Sequence, residues 1–393
     1  MPLSTTARSP AHAANTDTSR TAPRAVAIWL FCCCGLILLM VMVGGITRLT
    51  LSGLSITEWD PIIGVVPPLT SAQWTAEFAR YQKVPEYRAL QYGMSLADFK
   101  TIFFWEYTHR LLGRLIGFAF AVPLVLFWVR GRLPRGLAPA LAGILALGLA
   151  QGLVGWYMVE SGLVHRVDVS QYRLVTHLAL ALLIYSLVLW TGLGLAFPFE
   201  QPGPLYFAVS ARGIRGEKKR GLRCDGPTPI SPSWRRAGEA LIALIGLTIA
   251  AGGFVAGTRA GFTYNTFPLM DGRLAPAAYA ELTPLWRNWF ENVAAVQFDH
   301  RVLAITTAAA VVLLVLAGLP SRLPAASRAA LWALLAIVVL QVALGISTLL
   351  LVVPIPLAVA HQGDAVIMLS AALVFRHTLR QPAIMDAKSD AAV

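Results

Sequence analysis

The sequence predicts an all-α integral membrane protein, with eight transmembrane helices as two tandem four-helix bundles related by a pseudo-two-fold axis along the membrane normal. Three observations carry this: an unusually apolar composition, eight apolar runs long enough to cross a bilayer, and a set of motifs that occurs twice. Of the 393 residues, 56% are apolar and 13% charged, about half the roughly 25% charge of soluble chains. Mean hydropathy is +0.64. The net charge of +12 belongs, in a membrane protein, to the loops that set orientation, and is not read as nucleic-acid binding. Cys32, Cys33, Cys34 and Cys224 lack the spacing of a disulfide scaffold or a zinc finger.

A spanning helix needs about 20 predominantly apolar residues. Residues 25–47, 102–129, 137–158, 174–197, 237–256, 294–318, 329–353 and 357–376 meet that requirement. The first run is too long for a signal-peptide core and lacks a small-residue cleavage site, so it reads as a retained span behind a cytoplasmic tail of residues 1–24. Residues 25–197 then form an N-terminal bundle and 237–376 a C-terminal one. Between them, residues 198–236 read as a cytoplasmic linker rich in Gly, Pro and basic residues, including Glu217-Lys218-Lys219-Arg220; residues 377–393 form a second tail. With the N-terminus inside, the inner segments hold 19 Lys and Arg and the outer loops 10, which places both termini in the cytoplasm.

Self-similarity appears across the linker. Gly44-Gly45-Ile46-Thr47-Arg48 is echoed by Gly252-Gly253 and Thr258-Arg259, and Glu106-Tyr107-Thr108-His109-Arg110 by Gln297-Phe298-Asp299-His300-Arg301. Gln151 and Gly155 recur as Gln341 and Gly345, and His177 as His361. Each unit holds an even number of spans, so both keep one orientation, which disfavours an inverted-repeat transporter.

His109, His177, His300 and His361 lie on the second and fourth helix of each repeat, a few residues inside the outer end, and so share one depth. Intramembrane polar groups are costly and usually face a bundle interior or a cofactor. Two histidines per bundle suit heme iron, whose axial ligands come from facing helices, better than zinc, which takes three or four ligands. Arg48, Arg110, Arg259 and Arg301, near the same helix ends, are candidate propionate partners; the plainer alternative is that they reach to the interface. Gly113, Gly152 and Gly155 would allow close approach of a macrocycle, though small residues also serve helix packing. Two hemes at one depth do not suit a cytochrome carrying electrons across the membrane. The halves differ at Glu106, three residues before His109, whose counterpart is the non-ionisable Gln297. Glu106 is therefore the candidate catalytic residue, as proton acceptor or charge stabiliser, against the alternative of an acid at a helix start. Asp364, three residues after His361, reads as a neighbour of the C-terminal pair without specific chemistry.

From Gly44 to His377 the chain resembles the heme A synthase family in its longer-looped alphaproteobacterial and mitochondrial form. The first outer loop carries most of the likeness: Gly44-Gly45-Ile46-Thr47-Arg48-Leu49-Thr50, Ser52-Gly53-Leu54-Ser55, Trp59-Asp60-Pro61, Pro67-Pro68-Leu69, Pro85-Glu86-Tyr87, Gly93-Met94 and Glu106-Tyr107-Thr108-His109-Arg110. The resemblance implies oxidation of the C8 methyl of heme O to the formyl of heme A for terminal oxidase assembly. It implies heme b as cofactor on His300 and His361, substrate heme at His109 and His177, and a part in turnover for Glu106. The loop cysteine pair of the Gram-positive branch is absent, so no thiol role carries over. A bis-histidine iron has no vacant position for oxygen; either a histidine leaves or oxidising equivalents arrive otherwise. The implied partners are heme O, membrane lipid and an electron donor or acceptor, with heme O synthase and oxidase-assembly factors as candidates and a homo-oligomer left open. The implied location is the bacterial inner membrane, or the mitochondrial one in a eukaryote. The alternative function is a non-enzymatic diheme membrane cytochrome or heme-delivery protein.

Overall fold

The computed structural model describes residues 14–58, 63–164, 167–197 and 230–380. Most of the 198–236 linker with its basic run, Trp59-Asp60-Pro61, Arg166, Cys224 and both chain ends lie outside the described residues. Eight long helices account for the fold: α1 Ala14–Leu49, α2 Leu96–Val129, α3 Leu137–Val164, α4 Gln171–Ala196, α5 Pro232–Thr258, α6 Val293–Gly318, α7 Ala325–Leu350 and α8 Ile355–Thr378. All eight are long and apolar enough to cross a membrane. Helix is the form such runs must take, because in hydrocarbon every backbone N–H and C=O has to be satisfied within the segment.

The helix ends depart from the hydropathy limits where polar first turns continue a helix beyond its apolar run. α2 starts six residues early, at a capping box in which Ser95 Oγ accepts from the Asp98 N–H and Asp98 Oδ2 accepts from the Ser95 N–H. α5 starts inside the expected linker, where Ser231 Oγ accepts from the Ser233 N–H and Pro232 takes the first helical position. α1 begins at Ala14, so the second part of the expected N-terminal tail is helical.

α1 packs on α2 and α4, and α3 on α2 and α4, which closes one ring of four; α5, α6, α7 and α8 close a second ring by the same pairings. The rings join through α1 with α8, α4 with α5 and α4 with α8, an arrangement consistent with tandem bundles. Three of the four junction helices are the most buried: 44%, 39% and 44% of the most apolar stretch is buried in α1, α4 and α8, against 22% in α5, α6 and α7 and 11% in α2 and α3. Polar contacts that cross this junction include those between Tyr185 Oη and Ser370 Oγ (2.7 Å) and from Gln362 Nε2 to the Val41 carbonyl (3.0 Å).

The long loops gather on the face where α1 ends and α2 begins. There the helices Ser71–Tyr81 and Pro85–Leu90 fold over the start of α2 on a second apolar core of Leu54, Tyr81, Val84, Tyr87, Phe99, Ile102, Phe103 and Val169. Residues 260–292 cap the second ring through short turns pinned by the buried Asn288, whose Nδ2 donates to the Leu282 and Leu285 carbonyls.

Candidate functional site

Each of the four intramembrane histidines rests against a glycine of the neighbouring helix in its own ring. A Cβ built on Gly44 would lie 3.0 Å from His109 Cε1; the corresponding distances are 2.9 Å for Gly155 and His177, 3.1 Å for Gly252 and His300, and 2.8 Å for Gly345 and His361. Carbon contacts are comfortable at about 3.5–4.0 Å, so glycine is what lets these rings sit so close to the adjacent backbone. His109 and His177 stand on α2 and α4 of the first ring, and His300 and His361 on α6 and α8 of the second. The expected pairs are thus brought together, one pair per ring.

The donors suit heme iron. In all four rings Nδ1 is buried without a hydrogen-bond partner, while each histidine as a whole is only partly buried. Gln151 donates from Nε2 to the His177 carbonyl (3.0 Å) and approaches His177 Nε2 at 3.4 Å. Gly152 has open space at its Cβ position, whereas Gly113 packs against Met40 Cε at 3.2 Å. Among the described residues no group of three or more His, Cys, Asp or Glu side chains is gathered as for a metal ion.

Glu106 is 2% exposed, and both its oxygens are engaged. Oε2 accepts from Ser55 Oγ and the Ile56 N–H, both at 2.7 Å; Oε1 accepts from Arg110 Nε (3.1 Å) and Nη2 (2.5 Å). Arg110 also donates to the carbonyls of Glu58 (3.0 Å) and Ile56 (2.7 Å). The carboxylate therefore ties the loop after α1 to α2, one turn from His109, with about all four of its acceptor positions filled. Gln297 occupies the same place with opposite polarity: Nε2 donates to the carbonyls of Ala260 (2.7 Å) and Thr263 (2.5 Å), and Oε1 accepts from Arg301 Nη2 (2.8 Å). Arg301 in turn donates to the Thr266 and Tyr264 carbonyls.

Arg48 and Arg259, expected to serve separate sites, meet on one residue. Arg48 Nη1 (3.3 Å) and Arg259 Nη2 (2.9 Å) both donate to Asp168 Oδ1, in the loop between α3 and α4. All four candidate arginines thus hold protein partners. Asp364 is buried with Oδ2 unpartnered and makes no hydrogen bond to His361.

Sequence reasoning did not single out Asp168 or Glu86. Glu86 is 3% exposed and accepts from Tyr81 Oη at 3.0 Å. Burial pushes its carboxyl up to about 7, with Asp168 and Glu106 adding to the rise and Tyr81 and Arg48 opposing it. The Tyr81 hydroxyl is raised as well, by burial first and then by Glu86. Only the exceptional burial of an acid in a loop marks Glu86, and linear sequence does not display that.

The COX15-CtaA family model, described as cytochrome oxidase assembly protein, matches residues 27–373. A protein named heme A synthase from Rhodospirillum centenum is 49% identical over 94% of this chain and 92% of its own length. Proteins of the same name from Nitrosospira multiformis (46% identical, 93% of this chain and 96% of its own) and Chelativorans sp. (49%, 90% and 91%) are similar to it as well. Because the match takes in all four histidines, their glycine seats and both capping loops, the chain belongs to the COX15-CtaA family of cytochrome oxidase assembly proteins.

Proposed function

We propose that this protein is a heme A synthase, which oxidises the C8 methyl of heme O to the formyl of heme A. The observation that carries the reading is the duplicated one: two histidine pairs, each in its own helix ring, each with its buried Nδ1 lacking a hydrogen-bond partner and each imidazole seated on glycine. The relatives named heme A synthase support it. His300 and His361 would hold heme b, and His109 and His177 the heme O substrate. When bound, heme b supplies a reversible one-electron iron couple.

The packing supports this division. A resident group needs a closed site and a substrate needs a way in. α2 and α3 meet more sparsely than α6 and α7 and are half as buried, so the N-terminal ring is the looser one toward lipid. Converting the methyl to a formyl, with water as formal oxygen source, releases four electrons and four protons. An external acceptor must therefore take part. Glu106 is assigned a positioning role: its four hydrogen bonds hold Arg110 and the Ser55-Ile56 turn in place one turn from His109. We place the protein in the bacterial inner membrane with both termini cytoplasmic, on the 19-to-10 basic asymmetry. Heme O synthase and oxidase-assembly factors are its proposed neighbours.

The test is heme extraction from cells that make heme O but lack heme A. Expression should produce heme A; His109→Ala and His177→Ala should abolish it while leaving b-type heme bound, and His300→Ala and His361→Ala should lose that bound heme. Purified protein with two hemes and no heme A in the cells would point instead to a diheme cytochrome, and equal heme loss in all four variants would remove the division of sites.

A further inference from the structure

Gly44-Gly45 and Gly252-Gly253 stand on α1 and α5, two of the helices at the junction between the rings. Neighbouring residues on a helix point about 100° apart, so the two glycines of a pair face different helices. The first faces inward: Gly44 meets His109, and Gly252 meets His300. The second faces across the junction. A Cβ on Gly45 would run into Gln362 Oε1, beside His361 on α8; one on Gly253 would lie 3.0 Å from Val175 Cγ2 and 3.4 Å from Leu178 Cδ2, on either side of His177 on α4. The second glycine of each pair thus packs beside the histidine of the other ring, through Gln362 in one case and through Val175 and Leu178 in the other. Gln362 cannot swing aside freely, because its Nε2 donates to the Val41 carbonyl of α1 at 3.0 Å.

We propose that each Gly-Gly pair is a two-sided seat that couples the two heme sites. Its first glycine positions the histidine of its own ring, and its second positions the histidine-bearing helix of the other ring. The proposal rests on the assignment of the histidine pairs to heme. It makes a crossed prediction: Gly45, in the N-terminal ring, governs the C-terminal site, and Gly253, in the C-terminal ring, governs the N-terminal site. A sequence-local view predicts the reverse for both. The seats are positioning groups, comparable to the outer partners that orient metal-ligating histidines, whose loss commonly weakens metal retention by about 10- to 100-fold.

Four single variants separate the readings: Gly44→Ala, Gly45→Ala, Gly252→Ala and Gly253→Ala in the full-length protein. Alanine favours helix over glycine, so loss of helix is not the expected effect. Two readouts are taken: the low-spin ferric EPR signal of the b-type heme with its rate of loss to excess apomyoglobin, and the heme A to heme O ratio of the cells. Gly252→Ala and Gly45→Ala should shift the g values and speed loss by about 10-fold. Gly44→Ala and Gly253→Ala should leave that signal unchanged and lower the heme A to heme O ratio. Gln362→Ala added to Gly45→Ala, and Val175→Ala added to Gly253→Ala, remove the obstructing atoms. Both double variants should return toward wild type, including where a single variant fails to accumulate. Effects that follow the sequence halves, four identical effects, or double variants no better than the singles would overturn the coupling while leaving the function standing. A wild-type protein that purifies without low-spin heme would overturn the functional reading and this proposal with it.

Discussion

Exchanging Glu106 and Gln297 tests whether these residues are matched to their loops. In Glu106→Gln, one oxygen of an all-acceptor group becomes an NH2. Turned toward the loop, that NH2 faces the Ile56 N–H, which stood 2.7 Å from Oε2. The Ser55 hydroxyl can rotate to accept, but a backbone N–H cannot, and a buried N–H left without a partner costs about 1–3 kcal/mol. The Arg110 contact also falls from an ion pair to a bond between the guanidinium and a neutral acceptor, about 1 kcal/mol more. Turned the other way, the NH2 faces the guanidinium and the cost is no smaller. The expected destabilisation is thus about 2–4 kcal/mol. Gln297→Glu aims a carboxylate oxygen at the Ala260 and Thr263 carbonyls, which now accept from Nε2 at 2.7 and 2.5 Å. Two bonds become repulsions in a buried place, and about 3 kcal/mol or more should be lost. Thermal unfolding of the purified protein in one detergent, followed by intrinsic fluorescence, reads both. Ser55→Ala is the control: it removes one donor but leaves Glu106 ionised, so it should cost about 0.5–1.5 kcal/mol and keep more heme A formation than Glu106→Gln. An unchanged unfolding midpoint in Glu106→Gln together with lost heme A would refute the clamp and return Glu106 to a direct part in the chemistry.

Glu86 should give the capping loop a pH dependence of defined sign. Its folded value is raised from 4.5 to about 7, so its contribution is fully present below about 4.5 and is lost as pH rises through about 7. Relative to Glu86→Gln, which keeps the acceptor for Tyr81, the wild type should weaken by about 3 kcal/mol between pH 4.5 and 8, and a pH-independent difference would count against the buried carboxyl. Asp168→Asn should destabilise by about 1–3 kcal/mol, because two half-buried guanidiniums lose their shared carboxylate. In the Asp168→Asn background Arg259→Gln should cost less than in the wild type, and strict additivity would show that the bridge is not coupled.

How far the sequence could be read depends on the range of the interaction. The eight spans are local properties of composition, so they appear in the right places, and their errors fall where hydropathy is silent: the polar first turn of α2 is set by Ser95 and Asp98. The histidine pairs were legible because duplication repeats them. The glycine echoes were legible as echoes, but which ring each would meet depends on helix rotation. Arg48 and Arg259 show the limit. Sequence gave each its own site, whereas Asp168 draws both to one carboxylate across the junction. Asp168 has no counterpart in the second repeat, where α7 and α8 are joined by Leu351-Val352-Val353-Pro354, so no periodicity could mark it.

The most conspicuous difference between the repeats, Glu106 against Gln297, has a source outside the reacting groups. The first loop offers a hydroxyl and an N–H and the second offers two carbonyls, so each side chain is the isostere its loop requires. If that difference belongs to the loops, any functional distinction between the pairs must come from elsewhere in the two rings. The helices supply candidates. α8 carries Gln362 and the buried Asp364 one and three residues after His361, where α4 carries Leu178 and Leu180 after His177, and α2 and α3 are less buried than α6 and α7. A tighter C-terminal ring with polar groups beside its pair is suited to keep what it binds. A looser N-terminal ring with leucines there is suited to exchange it. Duplication thus supplies two equivalent histidine seats, and on the proposed division it is divergence in packing, more than in the acid at position 106, that would separate a place of residence from a place of turnover.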